Sequence, residues 1–284
     1  MNYDDQLLQL IKNALVEDIG DGDHSTLASI DGEAEGTAVL KIKEDGVLAG
    51  VAVAEKIFRF MQPDIFLKVC KKDGDNMKYG DVAFEVEAKT HTILQTERLV
   101  LNTMQRMSGI ATLTKKYVEK LSGCHTRLLD TRKTTPNFRL LEKEAVRIGG
   151  GLNHRFGLYD MIMLKDNHID YCGSIERAIE KAYQYVQTVK RGLKIEVETR
   201  SIDDVKRVMA IGKIDRIMLD NFTPELIAEA VKMIDGQYET EASGGINLDN
   251  IEIYAATGVD FISAGAVIHQ ARSLDLSLKA VRLT

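Results

Sequence analysis

Cationic side chains recur at the ends of two apolar runs and in a glycine-rich stretch between them. Leu128-Leu129 ends in Asp130-Thr131-Arg132-Lys133. A helical segment follows, then Gly149-Gly150-Gly151 and His154-Arg155. A second apolar run, 161–164, closes in Lys165-Asp166-Asn167-His168. From Thr126 to His168 eight Lys/Arg stand against five Asp/Glu, in a chain of net charge −6. A local basic cluster on an acidic protein suits a small polyanionic ligand. Nucleic acid is not expected, because it needs a broader basic face. Part of the cluster has a plainer reading: Arg139, Glu142, Lys143, Glu144 and Arg147 have helical spacing and are expected on a solvated face with i,i+3 and i,i+4 pairs. Arg132, Lys133, Arg155 and Lys165 lie at strand ends or beside glycines, where there is no helical face to solvate.

Carboxylates and small residues close the later apolar runs. Glu198 lies near the end of KIEVET, Asp220 ends RIMLD with Asn221 after it, and the last two runs end in Ser243-Gly244-Gly245 and Ser263-Ala264-Gly265. Small residues let backbone N–H groups approach an anion, with a helix N-terminus behind them. Glu198 and Asp220 are candidates for Mg²⁺ arriving with a phosphate ligand, since that ion binds through one or two carboxylates plus substrate phosphates and water. His154 and His168 have no metal-ligand spacing to another His or Cys, so a zinc site is not expected. The Asp/His cluster in residues 17–26 reads as a polar turn capping its neighbours.

Positioning these groups takes alternating strands and helices. Strands are predicted at 127–131, 161–165, 193–199, 216–220, 238–243 and 260–263, with helices at 137–148, 174–189, 201–211, 223–234 and 247–257 between them. Thr223-Pro224 gives the fourth helix its N-cap and first residue. Such alternation means a parallel sheet. The segment is too short for eight βα units, which take ~250 residues, so an open or reduced (β/α) barrel of six or seven strands is expected, a doubly wound sheet being the alternative. In a barrel the C-terminal strand ends form the site. The preceding chain differs: a helix at 4–17, strands at 36–43, 65–70 and 81–88, a helix at 54–61, and a long helix at 90–121 with a break at Ser108-Gly109. Its methionines, Met104 and Met107, are expected as core filler.

Composition narrows the class. The chain has 284 residues, 44% hydrophobic and 28% charged, which is ample for a large core and two domains. Cys70, Cys124 and Cys172 form no CxxC pair, so a reducing compartment is expected. No apolar run spans a bilayer and the N-terminus lacks signal-peptide character, so a cytoplasmic protein with no membrane partner is expected.

The motifs taken together resemble the quinolinate phosphoribosyltransferase (nicotinate-nucleotide pyrophosphorylase, carboxylating) family. The likeness runs through ALVEDIGDGDHST, TERLVLNTMQRMSGIAT, the whole of 130–168, KIEVET, IMLDNF, EASGGI and ISAGAVIH, in that order along nearly the entire chain. The resemblance implies an N-terminal α/β sandwich over 1–109, with 270–284 packing back on it, and an open barrel over 110–269. It implies transfer of phosphoribosyl from phosphoribosyl pyrophosphate to quinolinate with loss of CO₂, giving nicotinate mononucleotide for NAD biosynthesis, with Mg²⁺ and in a homodimer or higher homo-oligomer. Arg132, Arg155, Lys165 and His154 resemble groups around quinolinate, with Thr131 beside them, and Arg98 resembles one supplied by the neighbouring subunit. Lys133 resembles a group near both substrates, and Lys133, Glu198 and Asp220 are the implied catalytic set. Glu198 and Asp220 resemble the ribose and Mg²⁺ side, the metal held through substrate and water. Ser243, Gly244, Gly245, Ser263, Ala264 and Gly265 resemble the phosphate loops. The rival readings are a paralogous phosphoribosyltransferase acting on another ring acid and a non-catalytic sensor of a phosphorylated metabolite.

Overall fold

The computed structural model describes residues 2–281, which divide between two compact units. One takes in the chain up to Lys115, the segment Thr134–Gly150 and the stretch from Ile268; the other takes in Lys116–Lys133 and Gly151–Val267. Residues 282–284 of the expected returning segment lie outside the described residues. In chain order the first elements are α1 (Tyr3–Ile19), α2 (His24–Ser29), β1 (Glu35–Ile42), β2 (Gly46–Val47), α3 (Val51–Met61), β3 (Phe66–Val69), β4 (Asn76–Met77), β5 (Val82–Lys89) and α4 (Thr90–Lys120). There follow β6 (Arg127–Leu129), α5 (Arg139–Ile148), β7 (Ile162–Leu164), α6 (Asp166–Cys172), α7 (Ile175–Thr188), β8 (Ile195–Thr199) and α8 (Ile202–Ile211). The chain continues through β9 (Arg216–Asp220), α9 (Pro224–Ile234), β10 (Glu239–Ser243), α10 (Ile251–Ala255), β11 (Phe261–Ser263), α11 (Ala266–His269) and β12 (Leu276–Val281).

The first unit is built on an antiparallel sheet in the order β12-β1-β5-β3. Along β1 the residues Ala38, Leu40 and Ile42 are buried while their neighbours are not, the period of two that a half-buried strand requires. Phe84 of β5 meets Phe58 of α3 edge-on, with ring centroids 6.1 Å apart. The polar turn before α2 caps as its chemistry predicts: the Thr26 N–H donates to Asp23 Oδ1 at 3.1 Å.

Two sequence expectations are corrected in this unit. The helix over residues 90–120 has no break at Ser108-Gly109. Gly109 is there for space, since a Cβ on it would fall 1.8 Å from the Arg272 carbonyl oxygen, and the Ser108 hydroxyl accepts the Ala49 N–H at 3.0 Å. Close approach of a second backbone, rather than a kink, accounts for both residues. Nor is the charged face of α5 uniformly solvated. Arg147 pairs with Glu144 as spacing predicts, but Glu142 and Lys143 are buried. Glu142 accepts from Arg106 Nε at 2.9 Å and from the Thr135 N–H at 2.8 Å, so its charge is matched inside the unit. Met104 and Met107 are fully buried among apolar residues of α4.

The second unit holds six parallel strands in the order β6-β11-β10-β9-β8-β7. Each strand neighbours its chain successor except at the ends, where β6 and β7 are not paired to each other. That is barrel order with an open seam, not the reversal of a doubly wound sheet. The strands are buried nearly throughout, as helices on the outer face require. Three elements differ from expectation. Residues 166–172 form α6 directly after β7, because the Lys165 N–H donates to His168 Nδ1 at 3.0 Å and caps it. The helix expected over 247–257 shortens to α10 at 251–255, so no helix N-terminus stands directly behind Gly244-Gly245. The four-residue α11 was not legible as a helix.

Candidate active site

Strand periodicity gives the parallel sheet one polar face. In β8, Ile195, Val197 and Thr199 alternate with Glu196 and Glu198; in β9, Arg216, Met218 and Asp220 share a face, and so do Glu239, Glu241 and Ser243 of β10. Register places Glu196 opposite Arg216, Glu198 opposite Met218, and Ser243 opposite Asp220. The charged residues therefore form two layers, one nearer the strand starts and one at the C-terminal ends.

The C-terminal ends line a cavity of about 540 Å³ that gathers Thr131, Arg132, Lys133, His154, Arg155, Lys165, Asp220, Ser243, Gly244, Gly245 and Ser263. Asp130 ends β6 fully buried; its carboxylate accepts the His154 N–H at 2.8 Å, which fixes the Gly151–Arg155 loop against β6. Arg132 Nε is buried with no hydrogen-bond partner. Burial, then the charge of Arg132, lowers the pKa of the Arg155 guanidinium. Two guanidiniums held together in a half-buried cavity leave positive potential for an anion to take up. On the opposite side Lys165 Nζ lies 3.2 Å from Glu198 Oε2, while the Asp166 N–H donates to Glu198 Oε1 at 3.2 Å. Burial, then the Glu198 charge, raises Asp220 above the usual carboxylate range, and Asn221 Nδ2 donates to it at 2.6 Å. The Ser243-Gly244-Gly245 loop turns through φ +95° and +64°. A Cβ at Gly244 would meet Asn221 Oδ1 at 2.2 Å, so that position admits glycine alone.

Beneath this cavity lies a second group that sequence spacing did not reveal. His154 Nε2 stands 3.0 Å from Glu196 Oε2 and 3.2 Å from Glu241 Oε2, and all three side chains are buried. Arg216 Nη1 reaches Glu241 at 2.9 Å and Nη2 reaches Glu239 at 2.9 Å, with its guanidinium 4.2 Å from the Phe261 ring centroid. Glu196 is pushed up to about 7 by burial and then by the charge of Glu241. The only sequence signal was the alternation IEVE in β8, whose first Glu must face the same way as Glu198.

Most sequence-predicted site residues thus meet at one cavity. Glu198 touches it through Lys165. Ala264 and Gly265 do not line it; Ala264 is buried and its N–H donates to the Leu129 carbonyl at 3.0 Å. Arg98 belongs to the other unit, on α4, where its exposed guanidinium lies 3.1 Å from Glu97. Among the described residues the one group able to assemble three metal-ligand atoms is His154, Glu196 and Glu241.

Comparison with known proteins gives a consistent set of matches. Residues 110–279 match the family profile "Quinolinate phosphoribosyl transferase, C-terminal domain", and residues 23–108 match its N-terminal domain counterpart. The "Probable nicotinate-nucleotide pyrophosphorylase [carboxylating]" of Bacillus subtilis is 43% identical over 273 residues, covering 96% of this chain and 93% of that protein. The chloroplastic "Nicotinate-nucleotide pyrophosphorylase [carboxylating]" of Arabidopsis thaliana is 43% identical over 289 residues, covering 96% and 82%. Among solved structures, NadC from Streptococcus pyogenes superposes with a TM-score of 0.88 at 41% identity, over 96% of each chain. The Francisella tularensis nicotinate-nucleotide pyrophosphorylase does so with a TM-score of 0.90 at 37% identity, over 99% of this chain and 98% of that one.

Proposed function

The chain belongs to the quinolinate phosphoribosyl transferase family, and we propose that it transfers the phosphoribosyl group of phosphoribosyl pyrophosphate to quinolinate with loss of CO₂. The products are nicotinate mononucleotide and pyrophosphate, a step in NAD biosynthesis. The observation that carries this reading is the guanidinium pair Arg132 and Arg155, one with a buried Nε lacking a partner and the other depressed by burial and then by its neighbour's charge. A planar dicarboxylate supplies the acceptor oxygens such a pair needs, in the geometry that guanidinium forks match.

The chemistry follows from the two sides of the cavity. Arg132, Arg155 and Lys165 hold the quinolinate carboxylates and aim the ring nitrogen at C1 of the ribose, with Thr131 and His154 in the same wall. As the C1–pyrophosphate bond breaks, positive charge develops on the ribose, and the carboxylates of Glu198 and Asp220 stabilise it electrostatically. The new C1–N bond leaves a cationic ring nitrogen. That ring accepts the electron pair of the C2–carboxylate bond, CO₂ departs, and the ring carbon takes a proton. Lys133 stands where both substrates meet. The glycine-rich Ser243-Gly244-Gly245 turn presents backbone to the phosphate, with Ser263 beside it.

Mg²⁺ is part of the same proposal. Both Glu198 oxygens are already engaged, by Lys165 and the Asp166 N–H, whereas Asp220 lines the cavity with only Oδ2 bonded, to Asn221. That donor set suits an ion that retains its waters and substrate phosphate oxygens and leans on one carboxylate. When bound, Mg²⁺ neutralises charge on the leaving pyrophosphate. We further propose a homodimer in which the exposed Arg98 reaches the partner's site, and a cytoplasmic location, for which the three free cysteines speak. Among the described residues no helix is long and apolar enough to cross a membrane.

The test is to incubate the protein with phosphoribosyl pyrophosphate and either quinolinate or nicotinate, following nicotinate mononucleotide, pyrophosphate and CO₂. Quinolinate-dependent formation of all three is expected. Turnover of nicotinate alone would move the protein to a paralogous activity, and no pyrophosphate release with either would make it a binding protein.

A further inference from the structure

The ring of His154 is tied on both sides. Nδ1 accepts the Arg155 N–H at 2.6 Å, while Nε2 faces Glu196 and Glu241 at 3.0 and 3.2 Å. Each carboxylate therefore offers one oxygen within hydrogen-bond distance of Nε2. The backbone of His154 is tied as well, by its N–H to Asp130. Burial disfavours charge on the ring, and the Glu196 and Glu241 contacts outweigh it and raise the pKa. A charged ring, however, must carry a proton on Nδ1, and that proton would confront the Arg155 N–H. The two cannot coexist in this geometry. Arg216 supplies a cation to Glu241 from the other side.

We propose that Glu196 and Glu241 are positioning residues that lock His154 as the neutral Nε2–H tautomer, so that its Nδ1 holds the Arg155 backbone and neither ring nitrogen bonds the substrate. His154 then serves the pocket as a brace. It sets where the chain turns into Arg155, and through it where that guanidinium meets a carboxylate of the ligand. The arrangement places a part of the anion site's accuracy in two acids that stand behind the ring.

The tautomer can be read directly. In protein carrying ¹⁵N-histidine, with the His154 signals assigned by their loss in His154→Asn, the spectrum at neutral pH should show a protonated Nε2 and an unprotonated Nδ1. Adding quinolinate should leave that pattern unchanged. A doubly protonated ring, an Nδ1–H tautomer, or a change of protonation on adding quinolinate would overturn the proposal. The kinetic arm rests on the activity proposed above. Glu196→Leu, which removes the acceptor but keeps bulk, should raise KM for quinolinate about tenfold and leave KM for phosphoribosyl pyrophosphate within about twofold. Glu196→Gln should recover most of that loss, because its amide oxygen still accepts from Nε2–H. Equal damage to both KM values, or Gln as harmful as Leu, counts against positioning. If the unmodified protein turns over no quinolinate, the activity reading fails while the spectrum still decides the tautomer.

Discussion

Two layers of one sheet face treat charge in opposite ways. In the lower layer the Arg216 guanidinium closes on Glu241, and the His154 ring stands between Glu196 and Glu241. In the upper layer like charges are set side by side: Arg155 beside Arg132, and Asp220 beside Glu198. In the lower layer the Arg216 charge is matched within the chain by Glu241 and Glu239. The upper layer leaves each half of the cavity wanting a counter-charge, an anion on one side and a developing cation on the other. Buried charge matched within the chain acts as scaffold, and buried charge left over marks where chemistry is done.

This contrast can be broken most severely at Arg132. Arg132→Ala should nearly abolish turnover with little change in thermal stability, since truncating a buried charged partner costs ~2–5 kcal/mol of ligand or transition-state binding. Arg132→Lys should also be impaired, because a point charge does not reproduce the fork. Steady-state kinetics beside a melting curve checks both halves, and near-normal kcat/KM in either variant contradicts the assignment. The reverse outcome is expected below: Arg216→Met leaves Glu241 without its cation and should lower stability by about 3–5 kcal/mol, as read by chemical denaturation. A loss of activity in Arg216→Met with unchanged stability would erase the distinction between the layers.

Three smaller effects sharpen the comparison. Exhaustive removal of Mg²⁺ by a broad chelator should stop turnover, with Mg²⁺ or Mn²⁺ restoring it, whereas a zinc-selective chelator should do nothing; full activity without a divalent ion would remove the metal from the upper layer. Arg98→Ala and Lys133→Ala should each be nearly inactive, yet co-expression should restore activity to about a quarter of the unmodified level if Arg98 crosses a two-fold interface. Verified mixed dimers without recovery would return Arg98 to its own subunit. The smallest effect concerns pH and the lower layer. Glu196 rises from an ordinary 4.5 to about 7, so the folded protein binds more protons than the unfolded chain between those values. Stability therefore declines as pH rises through that window, and Glu196→Gln, which cannot titrate, should show a shallower decline in melting temperature from pH 5 to pH 7. An unaltered slope would place the proton elsewhere.

The upper layer was legible in the sequence and the lower layer was not, for a physical reason. Arg132, Lys133, Lys165, Glu198 and Asp220 follow apolar runs directly, so the strand and its site residue are written together. Glu196, Arg216 and Glu241 sit inside such runs, where a charged residue reads as an interruption until register shows what lies opposite. The six-strand sheet was readable from alternation, whereas β12 was not, because its pairing with β1 joins chain segments far apart. Glu142 and Lys143 were misplaced on a solvated face because periodicity gives a helix its faces but not what packs on each. Gly109 was taken as a break for want of the Arg272 carbonyl that explains it.

The seam of the parallel sheet sets a schedule for the nascent chain. Among the described residues β6 has one strand neighbour, β11, roughly 130 residues further on, with a single bridge to Leu152 besides, so at ribosomal rates of ~5–20 residues per second it waits on the order of ten seconds for that strand. The first unit is likewise completed by the chain's final strand, β12 on β1. Neither half can finish before β11 and β12 have been made, and an apolar edge such as Leu128-Leu129 is exposed meanwhile. Slower elongation therefore prolongs the window for misassembly, and holdase chaperones have their longest opportunity on this protein just before β11 and β12 emerge.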